Sequence, residues 1–112
     1  MENTKNLFGK CPYFTAQKVL AGKWSILIVY HLNDGTLRYG ELQRRLCDIT
    51  QATLTKQLRM LEDFGLVNRH VYSEIPPKVE YSLTELGKAF NPVLEQLEIW
   101  GNKYIESLEE SD

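Results

Sequence analysis

The chain has 112 residues, 43% apolar and 25% charged, which is one domain's worth of ordinary globular sequence with a modest core. No run of 18 apolar residues occurs, which argues against a membrane-spanning helix, and two cysteines are too few for a disulfide scaffold. The formal net charge of −2 hides an asymmetry: residues 1–78 carry eleven Lys/Arg against seven Asp/Glu, and residues 79–112 carry two against eight.

The opening "MENTKNLFGK" has no hydrophobic stretch of the secretory kind, so a cytoplasmic location is expected. "FTAQKVLAG" predicts a short helix with Thr15 as N-cap and Gly22 as stop. "WSILIVYHLN" is almost wholly apolar and predicts a central helix buried on most sides, ended by Asn33-Asp34-Gly35. A buried strand over "ILIVY" is the rival reading. "LRYGELQRRL" places Tyr39, Leu42 and Leu46 on one stripe of a third helix. "CDIT" is then a tight link. In "QATLTKQLRMLEDFG", Leu54, Leu58 and Leu61 form a second stripe, with Thr50 as N-cap and Gly65 as stop. "LVNRHVYS" and "KVEYSL" read as two strands, with Val67, Val71, Val79, Tyr81 and Leu83 facing inward.

A last helical segment begins at Thr84. Its apolar positions Leu86, Phe90, Val93, Leu97, Trp100 and Tyr104 step by four and three, a heptad seam suited to a partner helix. Pro92 must kink or restart it near Asn91. The expected fold is mainly α with a small β-hairpin wing: a single winged helix-turn-helix, dimeric through its terminal helices. The helix-turn-helix spans about 37–64, the wing about 66–83 and the C-terminal helices about 84–108.

The fourth helix carries the chemistry. Opposite its leucines stand Ala52, Lys56, Arg59 and Asp63, flanked by Gln51, Thr53 and Thr55. Acids appear only near its end, at Glu62 and Asp63. This layout suits a helix entering the major groove, with Gln51, Thr53, Lys56 and Arg59 reading bases. The plainer reading is a solvated amphipathic face. Arg38, Tyr39 and Thr50 are candidate phosphate contacts at helix starts. Arg44 and Arg45 read better as surface solvation. At the hairpin tip "SEIPPK", Pro76 and Pro77 pre-order the chain, and Lys78 is held where a cation could meet a phosphate. Glu74 lies nearby and opposes it.

Together these segments resemble the HxlR-type family of bacterial winged-helix transcriptional regulators, within the MarR-like group. The matching text is "CP" at 11–12, "GKW" at 22–24, "DGTLRYGEL" at 34–42, "ITQATLTKQLRMLEDFGLVNR" at 49–69, "PPKVEYSLTELG" at 76–87 and "WG" at 100–101. The resemblance implies a homodimer on a partly palindromic double-stranded DNA operator. It implies Gln51, Thr53, Lys56 and Arg59 on the recognition helix, Lys78 on the wing and Arg38 at the family's basic position. Dimerisation would fall to the terminal helices, with Phe90, Val93, Leu97, Trp100 and Tyr104 on the seam. One departure stands at Cys47-Asp48, where members often carry Pro-Gly. The family's N-terminal cysteine matches Cys11, which in some members senses electrophiles or oxidants. Cys11 precedes the first helix and neighbours Lys10, two features that promote thiol reactivity. Cys47 is its candidate disulfide partner across subunits, and a buried thiol with no signalling role is the alternative.

Cys11, His31, Cys47 and His70 are not spaced as a zinc site, and no Gly-rich phosphate cradle exists. No metal, cofactor or enzymatic activity is expected. Trp24 and Trp100 read as core or interface residues. The surviving alternative is a winged-helix module that binds protein, which the acidic tail would suit. Salt separates the two, because DNA affinity falls steeply as salt rises.

Overall fold

The apolar run after Trp24 settles as a helix, and the rest of the fold is built against it. The computed structural model describes residues 7–110. In chain order it runs α1 (Pro12–Val19), α2 (Ser25–Leu32), β1 (Leu37–Arg38), α3 (Tyr39–Leu46), α4 (Gln51–Asp63), β2 (Val67–Tyr72), β3 (Lys78–Leu83), α5 (Glu85–Lys88) and α6 (Asn91–Glu110). The architecture is mostly helical with one small antiparallel sheet. The reading of "MENTKNLFGK" falls mainly on residues 1–6, outside the described residues.

The core lies where α2, α3 and α4 meet one face of the sheet. Ile28 and Val29 of α2, Leu42 of α3 and Leu54, Leu58 and Leu61 of α4 are each at most 1% exposed. Each such side chain contributes roughly 1.5–3 kcal/mol through burial. The α4 leucines recur at four and three residues, so one stripe faces inward along the whole helix. Thr50 caps that helix: its Oγ1 accepts from the Thr53 N–H at 3.2 Å. Gly65, at φ +82°, ends it in a left-handed conformation that glycine adopts without cost.

The sheet order is β1-β3-β2, so the last strand is central. The hairpin register runs from Val67↔Leu83 to Tyr72↔Lys78. Val67, Tyr81 and Leu83 turn into the core, while His70, Tyr72, Lys78 and Glu80 share the outer face. Thr84 closes the base of the hairpin. Its N–H donates to the Leu66 carbonyl at 3.0 Å, and its hydroxyl donates to the Gly65 carbonyl at 2.6 Å. The same oxygen accepts the Gly87 N–H at 3.0 Å, which caps α5.

Several expectations are corrected. Thr15 is not an N-cap. Pro12 opens α1, where its missing N–H is harmless, and Thr15 Oγ1 instead accepts the Gly9 N–H at 2.8 Å. Gly22 is not the helix stop, because α1 ends at Val19; a Cβ at position 22 would run into Gln57 Oε1 and Ser25 Oγ. α2 is not buried on most sides: Ser25, Ile28, Val29 and Leu32 are buried, but Ile26, Leu27 and Tyr30 are exposed. The rival strand over that run is excluded. Val71 is 52% exposed, because it lies beyond the edge of the core near the hairpin tip. Pro92 does restart the terminal helix: α5 stops at Lys88 and α6 begins at Asn91. β1 has no counterpart in the sequence reading.

The link between α3 and α4 is a γ-turn. Cys47 has φ +59° and ψ −73°, and the Asp48 N–H donates to the Leu46 carbonyl at 2.7 Å. A Cβ at this positive φ is strained, which costs on the order of 1–3 kcal/mol. Cys47→Gly is therefore expected to raise stability by about 1 kcal/mol after glycine's own entropy cost. Urea unfolding checks this, and an unmoved midpoint would mean the turn holds no strain.

Candidate nucleic-acid interface

The interface starts at the first turn of α4. Gln51 and Ala52 are exposed there, and Thr53 and Thr55 are half-buried. Lys56 and Arg59 stand one turn apart on the outer side, exposed, and neither joins an ion pair among the described residues. Of the two acids near the end of the helix, Asp63 is exposed on this same side, four residues after Arg59. Glu62 is held by Arg69 of β2 at 3.3 Å, which also ties the wing to the helix. Thr53 Oγ1 accepts from the Thr50 hydroxyl at 2.9 Å, so both threonines serve the cap.

Arg38 occupies the N-cap position of α3 and is exposed, and its backbone N–H donates to Glu41 Oε1 at 2.9 Å. Arg38, Tyr39, Glu74, Pro76, Pro77 and Lys78 are among the residues lining a cleft of about 450 Å³ between the start of α3 and the hairpin tip. Two sequence-predicted cations thus share one cleft. Lys78 does not stand free in it: its Nζ is 4.3 Å from the centre of the Tyr72 ring and 3.9 Å from Glu80 Oε2. Tyr72 donates its hydroxyl to Glu80 Oε1 at 2.6 Å. That hydrogen bond, with burial and the Glu80 charge behind it, raises the Tyr72 phenol above its ordinary value. Glu74, the acid noted in the sequence, lines the same cleft, and a second acid, Glu80, engages Lys78 directly. Only the strand register reveals it.

Other predicted positions separate. Arg44 and Arg45 are exposed at the last turn of α3. Cys11 is half-buried at the N-cap position of α1, and Cys47 is exposed, its thiol donating to the Arg44 carbonyl at 3.5 Å. Both thiols are free in the single chain. Of the seam residues, Phe90 packs against its own core, whereas Val93, Leu97, Trp100 and Tyr104 are exposed. Trp24 packs against the core, and His31 is half-buried. Burial and the nearby Arg45 charge lower the His31 pKa, opposed by Asp34. Among the described residues no cluster of three metal-ligating side chains exists, and no helix is long and apolar enough to cross a membrane.

The sequence reading missed Gln57. It is buried beside the α4 leucines, and its Oε1, like Ser25 Oγ, has no hydrogen-bond partner. A polar residue type gives no signal for that position.

A helix-turn-helix carrying a three-stranded wing is the shape of winged-helix regulators, and residues 19–109 match the family described as HxlR-like helix-turn-helix. The chain belongs to the HxlR-like helix-turn-helix family. YdeP, an uncharacterised HTH-type transcriptional regulator of Bacillus subtilis (strain 168), is 44% identical across 91% of this chain and 80% of its own length. The redox regulator HypR in its reduced form is 44% identical and superposes with a TM-score of 0.83 over 88% of this chain and 98% of that one. Its oxidised form gives 0.77, at 46% identity over 83% and 96%. The reduced form of YodB from B. subtilis is 35% identical with a TM-score of 0.75 over 87% and 96%. The diamide-treated form gives 0.70, at 35% identity over 84% and 94%. This HxlR-like protein is thus a transcriptional regulator of the HxlR and MarR type, with DNA as the partner its family implies. HxlR-like proteins and the relatives named here are regulators and not enzymes.

Proposed function

We propose that two copies of this chain pair through α6 and set their α4 helices into successive major grooves of a partly palindromic operator. The observation that carries this reading is the outer side of α4, where Lys56 and Arg59 are exposed and outside any ion pair among the described residues. Gln51 and Thr53 add hydrogen-bonding groups at the end nearest the bases. Arg38, Lys78 and the backbone N–H of Thr50 contact phosphates, with Pro76 and Pro77 stiffening the wing tip. Two α4 helices one DNA turn apart would be separated by about 34 Å. The protein is expected to shift DNA from just upstream of its own coding region in a gel. The logarithm of the affinity should fall linearly with log salt, with a slope of roughly −0.9 per phosphate contacted. A complex indifferent to salt, or none at low salt, would remove DNA binding as the function.

The regulator responds to electrophiles or oxidants through Cys11. Support comes from the position of that thiol at the start of α1, a helix with no fully buried residue, and from the redox regulators among its relatives. In the oxidant case two thiols, Cys11 and Cys47 of the partner subunit, lose two electrons and two protons to diamide and form one disulfide. Diamide is expected to change operator affinity at least fivefold in the native protein and to leave Cys11→Ser unmoved. A native protein whose affinity ignores both diamide and an aldehyde would sink the sensing role.

A further inference from the structure

We propose that Tyr39 is a positioning residue for sequence reading: its hydroxyl locks the start of α4 to the start of α3 and makes no contact with DNA phosphate. The inference rests on reading α4 as the recognition helix. Tyr39 is the first residue of α3, and Gln51 is the first residue of α4. The Tyr39 hydroxyl lies 2.9 Å from the Gln51 carbonyl oxygen and 2.9 Å from Thr55 Oγ1. A carbonyl can only accept, so the single phenolic proton is committed to Gln51. Thr55 must then be the donor in the second bond. The hydroxyl retains no proton for a phosphate, which offers only acceptors. The ring is fixed as well: it is half-buried against the core, 6.3 Å from the Tyr81 ring.

The consequence is geometric. α3 and α4 are tied at one end by the Cys47 turn and at the other by this phenol. The second tie sits at the N-terminal turn of α4, where side chains meet base edges. A base contact needs placement to a few tenths of an ångström, whereas a phosphate contact tolerates more. Loss of the tie should therefore reduce discrimination between sequences more than overall attraction to DNA.

Tyr39→Phe keeps the ring and removes the hydroxyl. Thr55→Val keeps the shape and removes the second partner. The probes are the duplex that the native protein selects from a random pool and an unrelated duplex of equal length. Tyr39→Phe is expected to weaken binding to the selected duplex about tenfold, with the unrelated duplex and the salt slope unchanged. Thr55→Val should act in the same direction, and the double variant should do no worse than Tyr39→Phe alone. Equal weakening on both duplexes with a shallower salt slope would make Tyr39 a phosphate contact and overturn the proposal. Unchanged discrimination in both variants would overturn it too. Amide exchange gives a readout without DNA: Tyr39→Phe should speed exchange at the Leu54 and Thr55 amides, which donate to the Thr50 and Gln51 carbonyls, and leave the last turn of α4 alone, and unchanged protection at both contradicts the tie. If the native protein selects no duplex, the recognition-helix reading itself fails, a result distinct from the others.

Discussion

Alanine at Lys56 or Arg59 is expected to weaken binding to the native operator by roughly 1–3 kcal/mol, between about fivefold and 150-fold. The two side chains stand one helical turn apart on the exposed side of α4. Neither has an acid to leave before meeting DNA, so the free protein holds no compensating ion pair that the variant would release. Neither belongs to the core, so the fold should tolerate both changes within about 0.5 kcal/mol. The form of the loss identifies the contact. A residue that reads a base loses affinity for the operator and relaxes the preference at one position. A residue that meets phosphate loses affinity on every sequence, and its salt slope falls by about one. Anisotropy titrations at three salt concentrations on operator and scrambled duplex distinguish these. If both variants bind the operator as the native protein does, α4 does not read DNA.

The double change Leu97→Asp with Trp100→Asp is expected to give a monomer and to lower operator affinity on the order of a hundredfold or more, as linked half-sites become independent. α6 is 20 residues long and buries none of them within its own chain. Leu97 is 37% exposed and Trp100 63%, and Val93 and Tyr104 extend the same apolar ridge. Ile26, Leu27 and Tyr30 of α2 adjoin it across a groove shared with Leu94 and Leu97. An apolar surface of this kind on a small chain marks an interaction site. A two-fold interface would bring the new aspartates of both copies together, four like charges in a desolvated seam. Light scattering reads the mass, and circular dichroism checks that the single chain keeps its fold. A double variant that stays dimeric would move the interface away from α6.

The elements legible in the sequence were those whose signal is local. The α4 leucines repeat at helical spacing beside a threonine cap, and Pro92 can only restart a helix, so both were readable residue by residue. What was missed depends on partners distant in sequence. β1 is two residues long and exists because Leu37 and Arg38 meet Tyr81 and Glu80 of β3. Thr15 mimicked a cap, but the proline three residues earlier had already fixed the helix start. Val71 alternates correctly and still faces water, because alternation sets the face of a strand and not how far the core extends beneath it. At the candidate interface, residue types on α4 could be assigned to the outer side by angle alone. The engagement of Tyr39 with Gln51 and Thr55, and of Lys78 with Tyr72 and Glu80, could not, since each joins separate elements.

Thr84 joins the entry and exit of the hairpin through one backbone and one hydroxyl hydrogen bond. Beyond that knot the strands still hold to the helices through Arg69 on Glu62 and Tyr81 beside Tyr39, whereas Ile75 at the tip is fully exposed. Extra residues inserted at the tip would therefore cost little, since closure entropy grows only slowly with loop length. If the wing meets DNA as proposed, the span of duplex it covers can lengthen or shorten while the body of the protein stays as it is.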